Sequence, residues 1–153
     1  MYLDGGIYLI GYLIKKIYLH SQCELNQQFA KFDLTASQTF VMIHLFQHHA
    51  NGILLNQKDL EIAFHLSNPT ITGILQRLEA KGLIERKIGE KDARVKYISL
   101  TEKAHLLDEE LKHVFSQHEI KLIQDLTTEE AQLLKQLLQR LLQQWEREDD
   151  DIV

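Results

Sequence analysis

The sequence predicts a mainly α-helical protein carrying one small antiparallel β hairpin, and three observations predict it. Residues 67–81 read as a short capped helix with a polar outer face. Two segments rich in β-branched and aromatic residues, 83–88 and 95–100, follow at once and are split by a polar loop. From Arg77 to Lys103 eight Lys/Arg stand against five Asp/Glu, a local charge of +3 in a chain whose net charge is −5. A helix, then a hairpin with charge at its tip, is the order of a winged helix-turn-helix.

Taken in order, Gly5 to about Phe32 reads as a long helix with Ile7, Ile10, Leu13, Ile14 and Ile17 along one side. Thr35-Ala36-Ser37-Gln38 is a capping box that opens a second helix through about His49. Asn56 caps a short third helix carrying Leu60, Ile62 and Ala63. Leu66-Ser67-Asn68 is then a turn, with Ser67 as N-cap of the fourth helix. Pro69, the one proline, falls in that helix's first turn, where a missing N–H costs nothing. Ile71, Leu75 and Leu78 make its apolar stripe, widened by Ile74, and Gly82 after Lys81 suits a left-handed C-cap. Thr101 caps a fifth helix to about Leu126. Thr127 with Glu130 is a second capping box, opening a last helix with Leu134, Leu137, Leu138, Leu141, Leu142 and Trp145. Glu146 to Val153 reads as a frayed acidic tail. The expected organisation is therefore flanking helices at 1–34 and 101–147, a winged module at 35–100, and a tail at 148–153.

The outer face of the fourth helix carries Thr70, Thr72, Gly73, Gln76 and Arg77, with no acid before Glu79. A helix entering the major groove of DNA needs that composition: polar groups for base edges, small residues for close approach, no carboxylate against phosphate. The hairpin adds Arg86, Lys87, Lys91, Arg94 and Lys96. Double-stranded DNA is thus the leading candidate partner, with Ser67, Asn68, Pro69, Thr70, Thr72, Gly73, Gln76, Arg77, Lys87, Lys91, Asp92 and Arg94 as candidate contacts. Net acidity does not oppose this, because local charge governs a docking face.

The wing residues Lys91-Asp92-Ala93-Arg94, followed by Tyr97-Ile98-Ser99-Leu100-Thr101, resemble the MarR family of bacterial regulators, as does Lys81-Gly82-Leu83-Ile84-Glu85-Arg86. The family typically shows an acid, any residue, an arginine, then a strand ending in Leu-Thr. Ala104 stands where it often has glycine. The resemblance covers nearly the whole chain. It implies a homodimer built by the first and last helices, reading a pseudo-palindromic operator and released by a small-molecule effector. By carry-over Arg94 enters the minor groove and Asp92 orients it. An effector pocket between the first, second and fifth helices and the winged module would be lined by Tyr8, Tyr12, Phe40 and His44.

Other functions are weighed against that reading. No phosphate loop, nucleophile elbow, HExxH or CxxC spacing is present, and the adjacent acids Asp108-Glu109-Glu110 splay around a helix, so no catalytic residues, no cofactor and no enzyme are expected. His44 and His48, at i, i+4, could share a zinc, but zinc-sensing relatives use a glutamate-histidine pair where Thr39-Phe40 stand, no third ligand is evident and no metal site is assigned. Redox-responsive relatives carry their cysteine nearer the N-terminus, about where Leu13 lies, so Cys23, the lone thiol, reads as buried and inert. A winged fold serving protein interaction would turn acids or large apolar residues outward from the fourth helix, which Thr70, Thr72, Gly73 and Arg77 do not do. One cysteine permits no intrachain disulfide and fits a reducing cytoplasm. The apolar stretch Ile7 to Leu19 carries Lys15-Lys16 and is too short to span a bilayer, so no membrane partner is expected.

Overall fold

The structure, a computed structural model, describes residues 9–90 and 92–150, with side chains to residue 146. Its elements are α1 (Ile10–Phe29), a 3-10 turn (Ala30–Phe32), α2 (Ala36–Ala50), β1 (Leu55–Asn56), α3 (Gln57–Phe64), α4 (Asn68–Ala80), β2 (Ile84–Ile88), β3 (Lys96–Leu100), α5 (Glu102–Leu122) and α6 (Thr128–Asp150). The chain divides into two compact units, one ending at Ser116 and one beginning at Gln117. No helix among the described residues is long and apolar enough to cross a membrane.

Three of the helix starts follow from reciprocal caps. At α2 the Thr35 hydroxyl accepts from the Gln38 N–H at 3.2 Å, and the Gln38 side chain accepts from the Thr35 N–H at 3.3 Å. At α3 the same reciprocal pair is made by Asn56 and Asp59. Thr127 and Glu130 repeat it before α6. At α4 the outcome differs: Ser67 makes no capping bond to the backbone, and its hydroxyl lies 2.9 Å from Thr70 Oγ1 instead. Two short hydroxyls one turn apart satisfy each other, and Pro69 removes one N–H that would otherwise need a cap.

The end of α4 is closed by its glycine. Gly82 sits at φ +69°, its N–H donates to the Glu79 carbonyl, and the Leu83 N–H reaches back to the Leu78 carbonyl at 3.0 Å. Leu78 and Leu83, the apolar pair that accompanies this motif, are both buried. The Thr101 hydroxyl caps α5 by accepting from the Ala104 N–H, and it donates to the Gly82 carbonyl at 2.7 Å. Ala104 is fully buried there, so the methyl is accommodated by the packing.

The sheet has three strands in the order β1-β3-β2, all antiparallel. Ile84 pairs with Leu100 and Ile88 with Lys96 in the predicted hairpin, while Leu55 pairs with Ile98 and Asn56 with Tyr97 in an added short strand. That two-residue strand was not anticipated, since Leu55-Asn56 has no alternation long enough to read. Its second residue, Asn56, is also the N-cap of α3.

The core of the first unit gathers Leu25 and Phe29 of α1, Val41, Met42 and Leu45 of α2, Leu60 of α3, the stripe Ile71, Ile74, Leu75 and Leu78 of α4, Ile84 and Ile98 of the sheet, and Leu111 of α5. Phe115 tilts against both Phe29 and Phe40 at 5.0 Å between ring centroids. Of the residues assigned to the third helix, Leu60 is buried but Ile62 is 63% exposed, so the short helix uses only one flank for packing. The upper turns of α1 do not reach this core: Ile10, Leu13, Ile14 and Ile17 are all exposed, and Ile7 lies outside the described residues.

In the second unit α6 begins at its predicted cap and continues as helix through Asp150, further than the fraying expected from Glu146 onward. Leu134, Leu137, Leu138, Leu141, Leu142 and Trp145 are exposed along it. Acids near a helix C-terminus oppose its dipole only weakly when solvated, which leaves the helix free to run on. The fifth helix is shorter than expected: α5 ends at Leu122, and the next residues turn towards Thr127.

Candidate nucleic-acid interface

The outward side of α4 is set by its buried stripe. Ile71, Ile74, Leu75 and Leu78 fix one face in the core, which turns Pro69, Thr70, Gln76 and Arg77 into solvent, with Ser67 and Asn68 exposed ahead of them. Gly73 lies between, and a Cβ there would meet the Arg77 guanidinium at 3.7 Å, an ordinary contact. The Arg77 head group therefore folds back along the glycine. Thr72 differs from the expectation of an open polar face: it is half-buried on the flank toward α3, and its hydroxyl accepts from the Gln57 amide at 2.9 Å. Asn68 is likewise engaged, donating to Glu61 Oε1 at 2.7 Å.

On its other flank α4 faces the start of α2. An open groove of about 660 Å³ runs there, lined by Asn26, Thr35, Ser37 and Gln38 on one side and by Pro69, Thr70, Gly73, Ile74 and Arg77 on the other. Asn26 holds its edge, its side chain accepting from the Ala36 N–H at 2.7 Å. Lys81 reaches across from the end of α4 to the Asp33 carbonyl and to Gln38 Oε1, fixing α4 against the α1–α2 junction.

The wing is shaped by main-chain bonds. The Gly89 N–H donates to the Val95 carbonyl at 2.8 Å and the Val95 N–H to the Asp92 carbonyl at 3.1 Å. Gly89 is required by close approach, because a Cβ would stand 2.8 Å from the Tyr97 ring and 3.1 Å from the Asp92 carbonyl oxygen. Asp92 Oδ1 accepts from the main-chain N–H of Arg94 at 2.9 Å. The acid thus closes the turn that presents Arg94. Asp92, Arg94 and Lys87 are exposed, and Lys91 lies outside the described residues.

Not every basic residue of the hairpin faces outward. Arg86 is half-buried and paired with Glu79 Oε2 through Nη2 at 2.6 Å and Nε at 3.2 Å. Its hydrogen bond holds the Glu79 carboxyl below the usual carboxylate range. Lys87 has Glu85 at 3.4 Å, both largely exposed, a pair that salt and a polyanion readily displace. Among the described residues of α4 and the hairpin, the exposed cations are accordingly Arg77, Lys87, Arg94 and Lys96.

Of the residues assigned to an effector pocket, Tyr12, Phe40 and His44 are described. Tyr8 lies outside the described residues; Tyr12 is exposed on α1 with Lys16 Nζ 5.6 Å from its ring centroid. Phe40 packs on Phe115, and His44 packs on His48 at 4.2 Å and edge-on to Phe64 at 5.2 Å. Burial, and then the neighbouring His48, lowers the His44 pKa. Among the described residues no group of three or more His, Cys, Asp or Glu side chains is placed to hold a metal ion. Cys23, expected to be buried, is exposed on α1, with the Gln27 amide 3.9 Å from its sulfur.

Gln57 and Glu61 are residues of this surface that the sequence reading missed. Their i, i+4 spacing on a short helix was a local signal, but the partner residues Thr72 and Asn68 are seven to fifteen positions away, and nothing in the spacing points to them.

A polar helix face flanked by a basic hairpin, on a three-stranded sheet, defines a winged helix-turn-helix protein. Residues 34–96 match the model of the MarR family. The likeness to solved structures extends beyond that segment. MepR from S. aureus, in a complex with DNA, is 28% identical with a TM-score of 0.79, over 92% of this chain and 99% of that one. A MarR variant from E. coli, complexed with operator DNA, is 26% identical with a TM-score of 0.77, over 89% of this chain and 94% of that one. Another MarR structure shares the fold at 22% identity and a TM-score of 0.83, over 99% of each chain. The chain has the fold of the MarR-family transcription regulators.

Proposed function

We propose that this protein is a sequence-specific double-stranded DNA-binding regulator that acts as a homodimer. The observation that carries the reading is the pairing of an exposed polar helix face, Thr70, Gln76 and Arg77, with a wing whose turn is closed so as to present Arg94. The helix suits the major groove and the arginine suits a narrow, strongly negative minor groove beside it. MepR and MarR, the relatives of known structure, were crystallised with DNA. Dimerisation is supported by the exposed apolar residues of α1 and of α6, more apolar area than a monomer ordinarily leaves in water. Two copies related by a two-fold axis would present two α4 helices to half-sites about one helical turn apart. Repression, and release by a small-molecule effector that changes the spacing of the two winged modules, complete the proposal on the strength of the family resemblance. Tyr8, Tyr12, Phe40 and His44 remain the proposed effector contacts.

The test is selection of fragments from the source organism's genomic DNA by the purified protein, beside Arg94→Ala. A near-palindromic site enriched by the parent and lost or weakened in the variant is the expected result. Absence of enrichment at low salt would overturn the reading.

A further inference from the structure

Resting on the DNA-binding reading just given, the geometry points to two residues outside α4 that decide what α4 can recognise. Glu61 Oε1 lies 3.2 Å from the Gln57 amide nitrogen and 2.7 Å from that of Asn68. An ionised carboxylate only accepts, so both amides are held with nitrogen toward Glu61 and cannot be flipped without setting a carbonyl against a carboxylate. Lys58 Nζ lies 3.8 Å from the other carboxylate oxygen, Oε2. The same Gln57 nitrogen lies 2.9 Å from Thr72 Oγ1. With two hydrogens it serves Glu61 and Thr72 together.

The polarity at Thr72 follows. A hydroxyl has one hydrogen and two lone pairs, and Gln57 fills a lone pair. The hydrogen of Thr72 is therefore directed elsewhere, and with one lone pair filled and one open the hydroxyl is biased towards donating outward. The Asn68 amide, anchored through its nitrogen, keeps its carbonyl oxygen for an outside donor. We propose that Gln57 and Glu61 are positioning residues that fix this donor-and-acceptor pattern at the front of α4 and so determine base preference. In the major groove a donor suits purine N7, guanine O6 or thymine O4, and finds no acceptor on cytosine, whose edge offers the N4 amino group. Thr72 thereby favours a base with an acceptor edge over cytosine at one position in each half-site.

The experiment uses the full-length protein with a set of duplexes carrying each base at each position of the selected site, read by fluorescence anisotropy. The proteins are the parent, Gln57→Met, Thr72→Val, their double variant, and Glu61→Gln, which fills the same space but no longer forces the polarity. Gln57→Met and Thr72→Val are expected to lose about five- to tenfold of the discrimination against cytosine, the scale of one net hydrogen bond, at the same position. Glu61→Gln relaxes that position too and carries the test if Gln57→Met fails to fold. The double variant loses no more than the worse single, since both substitutions break one interaction. In Gln57→Met, which changes no charge, affinity for random DNA and its salt slope stay unchanged. Equal weakening on every duplex, relaxation at two different positions, or independent losses that multiply would overturn the inference. A parent without base preference would overturn the DNA-binding reading beneath it; a parent preference unmoved by Gln57→Met and Glu61→Gln would overturn this inference alone.

Discussion

His44 shows how one side chain couples the fold to pH. Its ring is wedged between His48 and Phe64, where burial and then the neighbouring imidazole oppose protonation. A histidine whose folded pKa is lowered takes up its proton more readily when unfolded. Stability is therefore unaffected at high pH and declines as pH falls below the ordinary imidazole value of 6.5, levelling off below the folded pKa. Replacing His44 with Phe keeps a ring against Phe64 and removes the titration, so the urea midpoint of that variant should fall less between pH 7 and pH 5 than the parent's. An equal decline in both would assign the pH dependence to other groups. At this scale the sequence was only partly readable. Exposed Arg77 and Arg94 follow from helix periodicity and from the wing motif. That Arg86 spends its charge on Glu79, or that Thr72 faces Gln57, depends on pairs brought together by the turn and the sheet, which no local pattern encodes.

Among elements, the helix starts were the most legible and also the most testable. Thr35 and Asn56 make complete reciprocal caps, so Thr35→Ala and Asn56→Ala should each lower stability by about 1 kcal/mol, read as a shifted urea midpoint at unchanged slope. Ser67 accepts no backbone hydrogen, and Ser67→Ala should cost clearly less. A Ser67→Ala loss as large as the other two would mean that the hydroxyl caps α4 in solution. Capping residues act on amides two or three positions away, which is why spacing alone located α2, α3 and α6. The hairpin was legible for the same reason, its alternation and polar loop being local. The strand β1 was not, because two residues hold no period and the strand exists only through its pairing with β3.

For the whole molecule, the exposed leucines of α6 and the exposed upper turns of α1 lead to one expectation, a second copy of the chain. Leu137→Glu with Leu141→Glu should convert a dimer to a monomer in light scattering and reduce operator affinity at least tenfold, since a single winged module keeps only half of the phosphate and base contacts. A monomeric parent would refute the dimer directly. The periodicity of these helices was plain in the sequence. Their division of labour is finer than it suggested: α1 sends Leu25 and Phe29 of its last turns into the core while Ile10 to Ile17 stay outside, a change of role along one helix that hydrophobic pattern does not distinguish.

The junction at Gly82 has a mechanical consequence. The Thr101 hydroxyl grips the Gly82 carbonyl and Lys103 grips the Lys81 carbonyl at 2.7 Å each, so the first turn of α5 is riveted to the last turn of α4 across the base of the hairpin. There is no slack loop at that joint. A twist applied to α5 at this joint would be transmitted to α4 as through a crank, and the two-residue strand ending in the cap of α3 would carry α3 with it. The α3–α4 pair and the hairpin then behave as a single tool on a shaft, and α5 is the shaft by which it would be turned.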